Sequence, residues 1–228
     1  LEISKELGNK VGIAWMTGNI GAVYNDMGDY EQTLKQHQNA LSIREELKDT
    51  TNIASQYTTI GYIYLWIGYY EKTIEYFEKS LSIRESIGNN YLIANSLRSL
   101  GIFYFWQGEY ENSIQYLERS IKIMQEEKKD NYKKDLGITS YLNLSYKHLG
   151  RDYDEEDVLS LLKEEKMDDI DYIYNFIFYD LLEDKLFLER AYNTIRGKSK
   201  WLDDKKMEKF LNYPIPKQII EEYNKEFS

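Results

Sequence analysis

The sequence contains no cysteine, which excludes disulfide bonds, cysteine-ligated zinc and a thiol nucleophile. Proline is scarce too, with 2 residues in 228, and glycine numbers 13, a composition that favours long helices. Basic residues are outnumbered, because 29 Lys and Arg stand against 39 Asp and Glu, giving a net charge of −10. That balance argues against nucleic-acid binding, which needs clustered basic side chains.

Long apolar runs are also missing. No stretch approaches the roughly 20 apolar residues of a membrane span, and no signal peptide is visible. What the chain has instead is 42% hydrophobic and 15% aromatic residues, including 22 Tyr. This is too apolar for a disordered chain and enough for the core of one domain or two small ones. We therefore expect a soluble, cytoplasmic, mainly helical protein that does not bind membranes.

The sequence repeats itself with a period of 40 residues. The recurring positions carry alanine, glycine or tyrosine: Ala14, Ala54 and Ala94; Gly21, Gly61 and Gly101; Tyr24, Tyr64 and Tyr104; Gly28, Gly68 and Gly108; Tyr30, Tyr70 and Tyr110. This predicts full copies at about 11–50, 51–90 and 91–130. A degenerate fourth copy at 131–165 carries Tyr146 and Gly150, shifted by two residues.

Each copy contains two helical patterns. Apolar residues fall at helical spacing from Ile13 to Met27, Gly28 and Asp29 break the pattern, and a second helix is predicted from about Tyr30 to Leu47. The glycines at 21, 61 and 101 lie in the middle of the first helices, where glycine costs about 1 kcal/mol relative to alanine. We expect that the missing side chain lets the neighbouring helix approach closely.

With these features the chain resembles the tetratricopeptide repeat family. The residues that carry the resemblance are the small residues Gly61, Gly101, Ser80 and Ser120 and the tyrosines Tyr64 and Tyr104. Small residues also stand at 33, 73 and 113, where the family usually has alanine. The usual repeat is about 34 residues, so the longer period is similar to that of kinesin light chains and certain bacterial signalling proteins. The resemblance covers residues 1–165 and implies an all-α, right-handed superhelix.

The first residues also match the repeat. Leu1–Leu7 aligns with Leu81–Ile87, so residues 1–10 are predicted to be the second helix of a truncated repeat. We expect a fragment preceded by further repeats and an effector domain, because a solenoid repeat contacts only its neighbours.

The tail, residues 166–228, departs from the repeat. Helices are predicted at 171–182, 186–195, 203–212 and 216–227, and together they are expected to cap the last repeat. Phe187–Tyr192 and Phe210–Lys217 are similar to the ending of large bacterial signalling proteins, in which a long tetratricopeptide array follows a kinase, nucleotide-cyclase or NTPase domain. That resemblance implies the C-terminal part of a sensor or scaffold, with an effector domain as an intramolecular partner.

Residues with catalytic chemistry are few. His37 and His148 lie 111 residues apart, and His37 stands where the next copies have Phe77 and Leu117, which favours a packing role. The acidic segment 152–157 lacks the glycine and glutamate of a calcium loop, so we expect it to begin a helix. We therefore predict no enzymatic activity, no cofactor and no metal site.

The family resemblance implies that the first helix of each pair lines a concave groove. The side chains selected there as candidate peptide-binding residues are Trp15, Asn19, Thr59, Tyr62, Trp66, Asn95, Arg98, Ser99, Phe105 and Trp106, and Gly18, Ala22, Asn25 and Asp26 fall at further groove positions. Trp66 and Trp106 are expected to lie in a row, where they either bind a partner or only seal the packing between repeats. Arg98 is the one cation of the set and is a candidate for holding a carboxylate.

These observations predict a protein- or peptide-binding scaffold or sensor module. One alternative is a small-peptide receptor of the quorum-sensing-regulator type, and another is a free-standing adaptor or co-chaperone. Lysine is absent from the groove positions, which disfavours the carboxylate clamp of heat-shock co-chaperones.

Overall fold

A computed structural model describes residues 8–127, 135–164 and 170–228, and this part of the chain is helical with no strand. Its α-helices are α1 Lys10–Met27, α2 Tyr30–Glu46, α3 Thr50–Ile67, α4 Tyr70–Ile87, α5 Asn90–Trp106, α6 Tyr110–Glu126, α7 Leu136–His148, α8 Glu155–Glu164, α9 Tyr172–Leu182, α10 Lys185–Gly197, α11 Asp204–Leu211 and α12 Pro214–Phe227. The predicted helix of a truncated repeat falls mostly on residues 1–7, outside the described ranges. Among the described helices, none combines the length and apolarity needed to cross a bilayer.

The turn inside each repeat follows from its glycine. Gly28 ends α1 with a φ of 86°, a left-handed conformation that glycine adopts without strain. The next amide, that of Asp29, donates to the carbonyl of Tyr24 at 2.9 Å, and the Asp29 carboxylate accepts from the amide of Gln32 at 3.2 Å. The recurring Tyr–Gly spacing is therefore a helix stop followed directly by a helix start, as the predicted break at 28–29 requires.

The mid-helix glycines lie where two helices of a pair touch. A Cβ at Gly61 would lie 2.5 Å from Cε1 of Phe77, and one at Gly101 would lie 2.6 Å from Cγ of Leu117. At Gly21 it would lie 2.8 Å from Nε2 of His37. The predicted close approach of the helices is confirmed, and each glycine faces the large side chain 16 residues further on.

The described helices form two compact units. The first unit contains α1–α4, with a core around Leu41, Ile60 and Tyr64, and it also includes Lys198–Pro214 from the tail. The second unit contains α5–α10 and residues 215–228. In the second unit α7 packs against α6, and α9 packs against both α7 and α10.

The tail is thus divided between the two units. In the first unit α11 packs on the turn between α1 and α2, where the fully buried ring of Phe210 lies 6.0 Å from that of Tyr30. Lys206 Nζ binds the Asp29 carboxylate at 2.7 Å, Lys209 pairs with Glu31, and Lys198 Nζ donates to the carbonyl of Asp26 at 2.6 Å.

The expected cap on the last repeat therefore describes only part of this tail. The residues before Lys198 pack beside the fourth copy, and Lys198–Pro214 cover the first repeat instead. Helix periodicity identifies the apolar face of α11 but carries no information about the surface that receives it. Helix α12 begins at Pro214 rather than at 216, because proline is tolerated in the first turn of a helix.

Candidate peptide-binding pocket

Two successive repeats of the first unit form a concave pocket of about 460 Å³. Four of the predicted groove residues line it: Asn19, Thr59, Tyr62 and Trp66. Further lining comes from the predicted groove positions 18, 22, 25 and 26 and from three residues outside the prediction, Thr33, His37 and Ile63. Helices α1 and α3 line the sides of the pocket, and the first half of α2 contributes Thr33 and His37.

One wall of the pocket is aromatic. Tyr62 and Trp66 are one helical turn apart on α3, and their rings stack with centroids 5.6 Å apart and planes at 27°. Tyr62 also packs edge-on against Phe77, at 5.0 Å between ring centroids. These contacts hold both rings in place before any ligand arrives, and both side chains remain partly exposed. A partner would gain aromatic contact area here at little cost in side-chain ordering.

Behind His37, which lines the pocket, lies a chain of polar groups. Arg44 Nη1 donates to Gln56 Oε1 at 2.5 Å, and Gln56 Nε2 lies 2.6 Å from His37 Nδ1. A guanidinium can only donate, so the arginine fixes which end of the amide carries the oxygen. Gln56 Nε2 must then donate to Nδ1, and the proton of the neutral His37 ring is carried by Nε2. The side chains of His37 and Gln56 are both buried.

Burial lowers the pKa of His37, the nearby charge of Arg44 lowers it further, and the Gln56 hydrogen bond opposes the shift in part. Burial also lowers the pKa of Arg44. The ring is therefore neutral in the folded protein under conditions in which an exposed histidine is partly protonated.

This shift predicts an acid-sensitive contribution to stability. Below about pH 6.5 the unfolded His37 takes up a proton that the folded ring resists. Its contribution is therefore complete above that pH and is lost as the pH falls below it. Urea unfolding of the parent chain and of His37→Phe between about pH 5 and 8 should show that the parent loses more stability on acidification. Parallel curves for the two proteins would contradict the shift.

The remaining candidate of the first unit, Trp15, lies outside this pocket. Its side chain is 63% exposed on α1. The lining therefore includes four of the five candidates of this unit and leaves out Trp15.

The candidates of the second unit are engaged within the protein. Arg98 Nη1 binds the Asp135 carboxylate at 2.5 Å, and the same carboxylate caps α7 by accepting from the amide of Ile138 at 3.0 Å. Ser99 is buried and donates to the carbonyl of Asn95 at 3.1 Å. Arg98 thus holds a carboxylate of its own chain. The role of Arg98 in binding a partner stays a prediction.

Phe105 and Trp106 line a smaller pocket of about 300 Å³ in the second unit. Phe105 is buried, and Trp106 Nε1 donates to the hydroxyl of Tyr141 at 3.1 Å. His148 lies in the same pocket, where it stacks on Tyr110 with ring centroids 4.5 Å apart. Trp66 and Trp106 thus each line a pocket of their own unit and each also pack within the protein, so the choice between binding and packing stays a prediction for both.

Comparison with known proteins identifies the family to which this helical repeat belongs. A family model described as tetratricopeptide repeat matches residues 12–86 and 52–126, which together make up half of the chain. The chain belongs to the tetratricopeptide repeat family. The resemblance noted in the sequence is confirmed for the three full copies, and the tetratricopeptide match ends at the last residue of α6. No curated protein sequence matches the chain.

Solved structures extend the likeness over nearly the whole chain. The apo form of RapI has 17% sequence identity and a TM-score of 0.56, covering 99% of this chain and 73% of RapI. BtubC from P. vanneervenii has 16% identity and a TM-score of 0.58, covering 98% of this chain and 87% of BtubC. A putative kinesin light chain of P. anserina with nearly identical TPR-like repeats has 13% identity and a TM-score of 0.53, covering 91% and 95%. These matches confirm the expected fold class, an all-α tetratricopeptide superhelix.

The acidic segment of the degenerate tetratricopeptide copy has a structural role. Helix α8 begins at Glu155, as predicted, and the carboxylate of Asp154 accepts from the amide of Asp157 at 3.0 Å. Across 8–127, 135–164 and 170–228, no group of three or more acidic, histidine or cysteine side chains is arranged to hold a metal ion.

Analysis of the sequence did not assign His37, Gln56 and Arg44 to the tetratricopeptide groove. All three lie outside the groove positions of the family pattern, and two of them lie on the second helix of the repeat. A signal was present, since a histidine replaces an apolar residue of the later copies at a position facing a glycine.

Proposed function

We propose that this chain binds a protein partner by capturing an extended segment of it in the pocket of the first unit. The observation that carries the proposal is that Asn19 from one repeat and Thr59, Tyr62 and Trp66 from the next line one concave pocket. The stacked rings supply apolar contact area, and the asparagine side chains supply both donors and acceptors for a peptide backbone. The chain would then be a binding scaffold or sensor arm without catalytic activity of its own.

The cellular setting is part of this proposal. The sensor arm would operate in the cytoplasm, within a larger signalling protein whose effector domain responds to partner binding. The supporting observations are the family membership, the shortage of basic residues and the similarity of the tail to the ends of such proteins.

A second candidate, a receptor for a short free peptide, is favoured by the size of the pocket. About 460 Å³ lies within the range of small-ligand sites, roughly 300–1,000 Å³. A free peptide bound at 100 times its dissociation constant would stabilise the chain by about 2.7 kcal/mol. A clear rise in melting temperature with a free hexapeptide would support this candidate. Binding of the free hexapeptides too weak to raise the melting temperature would favour the scaffold, whose partner adds affinity through contacts outside the captured segment.

The test is a mixed pool of hexapeptides, acetylated at the N-terminus and amidated at the C-terminus, offered to the parent chain and to Trp66→Ala. We expect the variant to bind the pool at least about 30-fold more weakly, because truncation of an interface tryptophan typically costs about 2 kcal/mol or more. The measurement is fluorescence polarisation of the labelled pool, with circular dichroism to confirm that the variant keeps its helices.

Trp201→Ala is the matched control. Trp201 is 63% exposed, belongs to the tail residues of the same unit and does not line the pocket. The control should bind the pool as the parent does. Equal binding by parent and Trp66→Ala would remove the pocket from the proposal.

A further inference from the structure

The floor of the first-unit pocket holds a hydrogen-bond donor that the protein does not use. His37 Nδ1 is occupied by Gln56, which places the ring proton on Nε2. Within the described chain, Nε2 has no hydrogen-bond partner. The side chain is only 8% exposed, and it is one of the residues that line the pocket. Nε2 is not among the fully enclosed polar atoms that lack a partner in the described residues, so a small part of this donor stays open to a ligand oxygen.

The other repeats show that a polar group is not needed at this place. Phe77 and Leu117 occupy the same position of the next two copies and pack against their glycines without any polar atom. The amide of Gln56 has no counterpart either, since the equivalent residues of the neighbouring copies are Met16 and Ser96. The first unit thus has a polar ring at a position that apolar side chains fill in the next two copies, whereas the positions equivalent to Arg44 and Gln56 keep the polar residues Arg84 and Ser96.

The ring of His37 reaches the pocket beside a glycine of α1. The ring edge that carries Nε2 packs on Gly21, where a Cβ would lie 2.8 Å from the nitrogen. Gly21 is next to Ala22 and two residues from Asn19, and both of these line the pocket together with His37. Gln56, itself bound by Arg44, holds Nδ1, so the ring cannot turn over without breaking a hydrogen bond of 2.6 Å.

We propose that His37 Nε2–H donates a hydrogen bond to a carbonyl oxygen of the segment bound in this pocket. The inference rests on the proposed function and names the group of the ligand that the floor recognises. A neutral carbonyl, from the main chain or from a carboxamide side chain, fits better than a carboxylate. The ring is a neutral donor, and Asp26, which also lines the pocket, would repel a second negative charge. Arg44 does not line the pocket, and its donor Nη1 is engaged with Gln56.

In this arrangement Gln56 is a positioning residue. It fixes the tautomer of His37 and holds the ring at the orientation in which Nε2 points away from the Arg44 side. Replacement of Gln56 should leave the ring present but free to place its proton on either nitrogen. Part of the binding, rather than all of it, should then be lost.

The experiment uses the full chain and the same acetylated, amidated hexapeptide pool. His37→Phe should fold, because phenylalanine against glycine is the native arrangement at Phe77 and Gly61. We expect it to bind the pool about 10-fold more weakly than the parent. Gln56→Met, which copies the residue of the first repeat, should bind about 2- to 5-fold more weakly. Nitrogen-15 NMR of the parent should show the Nε2–H tautomer of His37, with its signals shifting when the pool is added, and Gln56→Met should show mixed tautomers.

The outcomes separate this inference from the function on which it rests. If Trp66→Ala weakens binding but His37→Phe does not, the pocket binds peptides and the assignment of His37 is wrong. An unchanged Nε2 signal in the parent saturated with the pool also overturns the assignment. If the parent does not bind the pool, both the proposed function and this inference fail.

Discussion

Replacing Phe210 with alanine should lower the free energy of unfolding by about 3–5 kcal/mol, the usual range for truncating a fully buried phenylalanine. The ring is 0% exposed and packs against Tyr30, with Tyr213 also 5.4 Å from Tyr30 between ring centroids. Lys198 Nζ lies 5.7 Å from the Phe210 centroid, so the truncation also removes a cation–π contact. The measurement is urea unfolding followed by circular dichroism.

Amide hydrogen exchange provides a second measurement for Phe210→Ala. Loss of Phe210 should free Lys198–Pro214 from the turn between α1 and α2, so amide hydrogen exchange in that segment should rise first. Phe227→Ala is the control, because Phe227 is 42% exposed on α12 and its truncation should cost less than about 1 kcal/mol. If both variants lose the same stability, the docking of α11 on the first repeat is not what holds this segment.

A methyl group at Gly61 should destabilise the first unit. The Cβ of Gly61→Ala would lie 2.5 Å from Cε1 and 2.6 Å from Cδ1 of Phe77, whose side chain is 1% exposed. Overpacking of this kind costs about 1–3 kcal/mol, against a gain of about 1 kcal/mol in helix propensity. We expect a net loss of up to about 2 kcal/mol in urea unfolding.

Gly18→Ala provides the matched comparison. Gly18 also lies inside a first helix, but a Cβ there would meet no atom within 4 Å. With no clash to offset it, the helix-propensity gain should raise stability by about 0.5–1 kcal/mol. Opposite signs for two glycine-to-alanine changes would show that close helix packing is what requires glycine at 61. If both changes stabilise the chain, the contact with Phe77 is looser than the structure shows.

Much of the local structure follows from residues close together in the chain. The break at 28–29, the start of α2 at Tyr30 and the start of α8 within the acidic segment were all predictable. A helix stop needs a residue that tolerates a left-handed conformation, and a helix start needs a capping side chain. Both requirements are met within about five residues of sequence. Predicted helix ends differ from the observed ones by up to three residues, as at Lys10, because terminal turns depend on capping.

The pocket residues could be predicted only at the groove positions that the family pattern defines. Four predicted groove residues of the first helices, Asn19, Thr59, Tyr62 and Trp66, line one pocket, and their binding role stays a prediction. The same pattern did not distinguish Trp66, which lines that pocket, from Trp106, which is hydrogen-bonded to Tyr141. That difference depends on α7, a helix of the degenerate copy in which the repeat pattern is weakest.

The sequence alone determines the repeat period, the pairing of the helices and the glycine at each close contact. Each of these features depends on a short-range rule that recurs every 40 residues. Three-dimensional packing alone settled where α11 docks, which carboxylate Arg98 holds and which nitrogen of His37 carries the proton. Each of these depends on partners 12 to 177 residues away. No periodic pattern encodes such contacts, since an amphipathic helix or a lone charged side chain is compatible with many surfaces until the fold presents one.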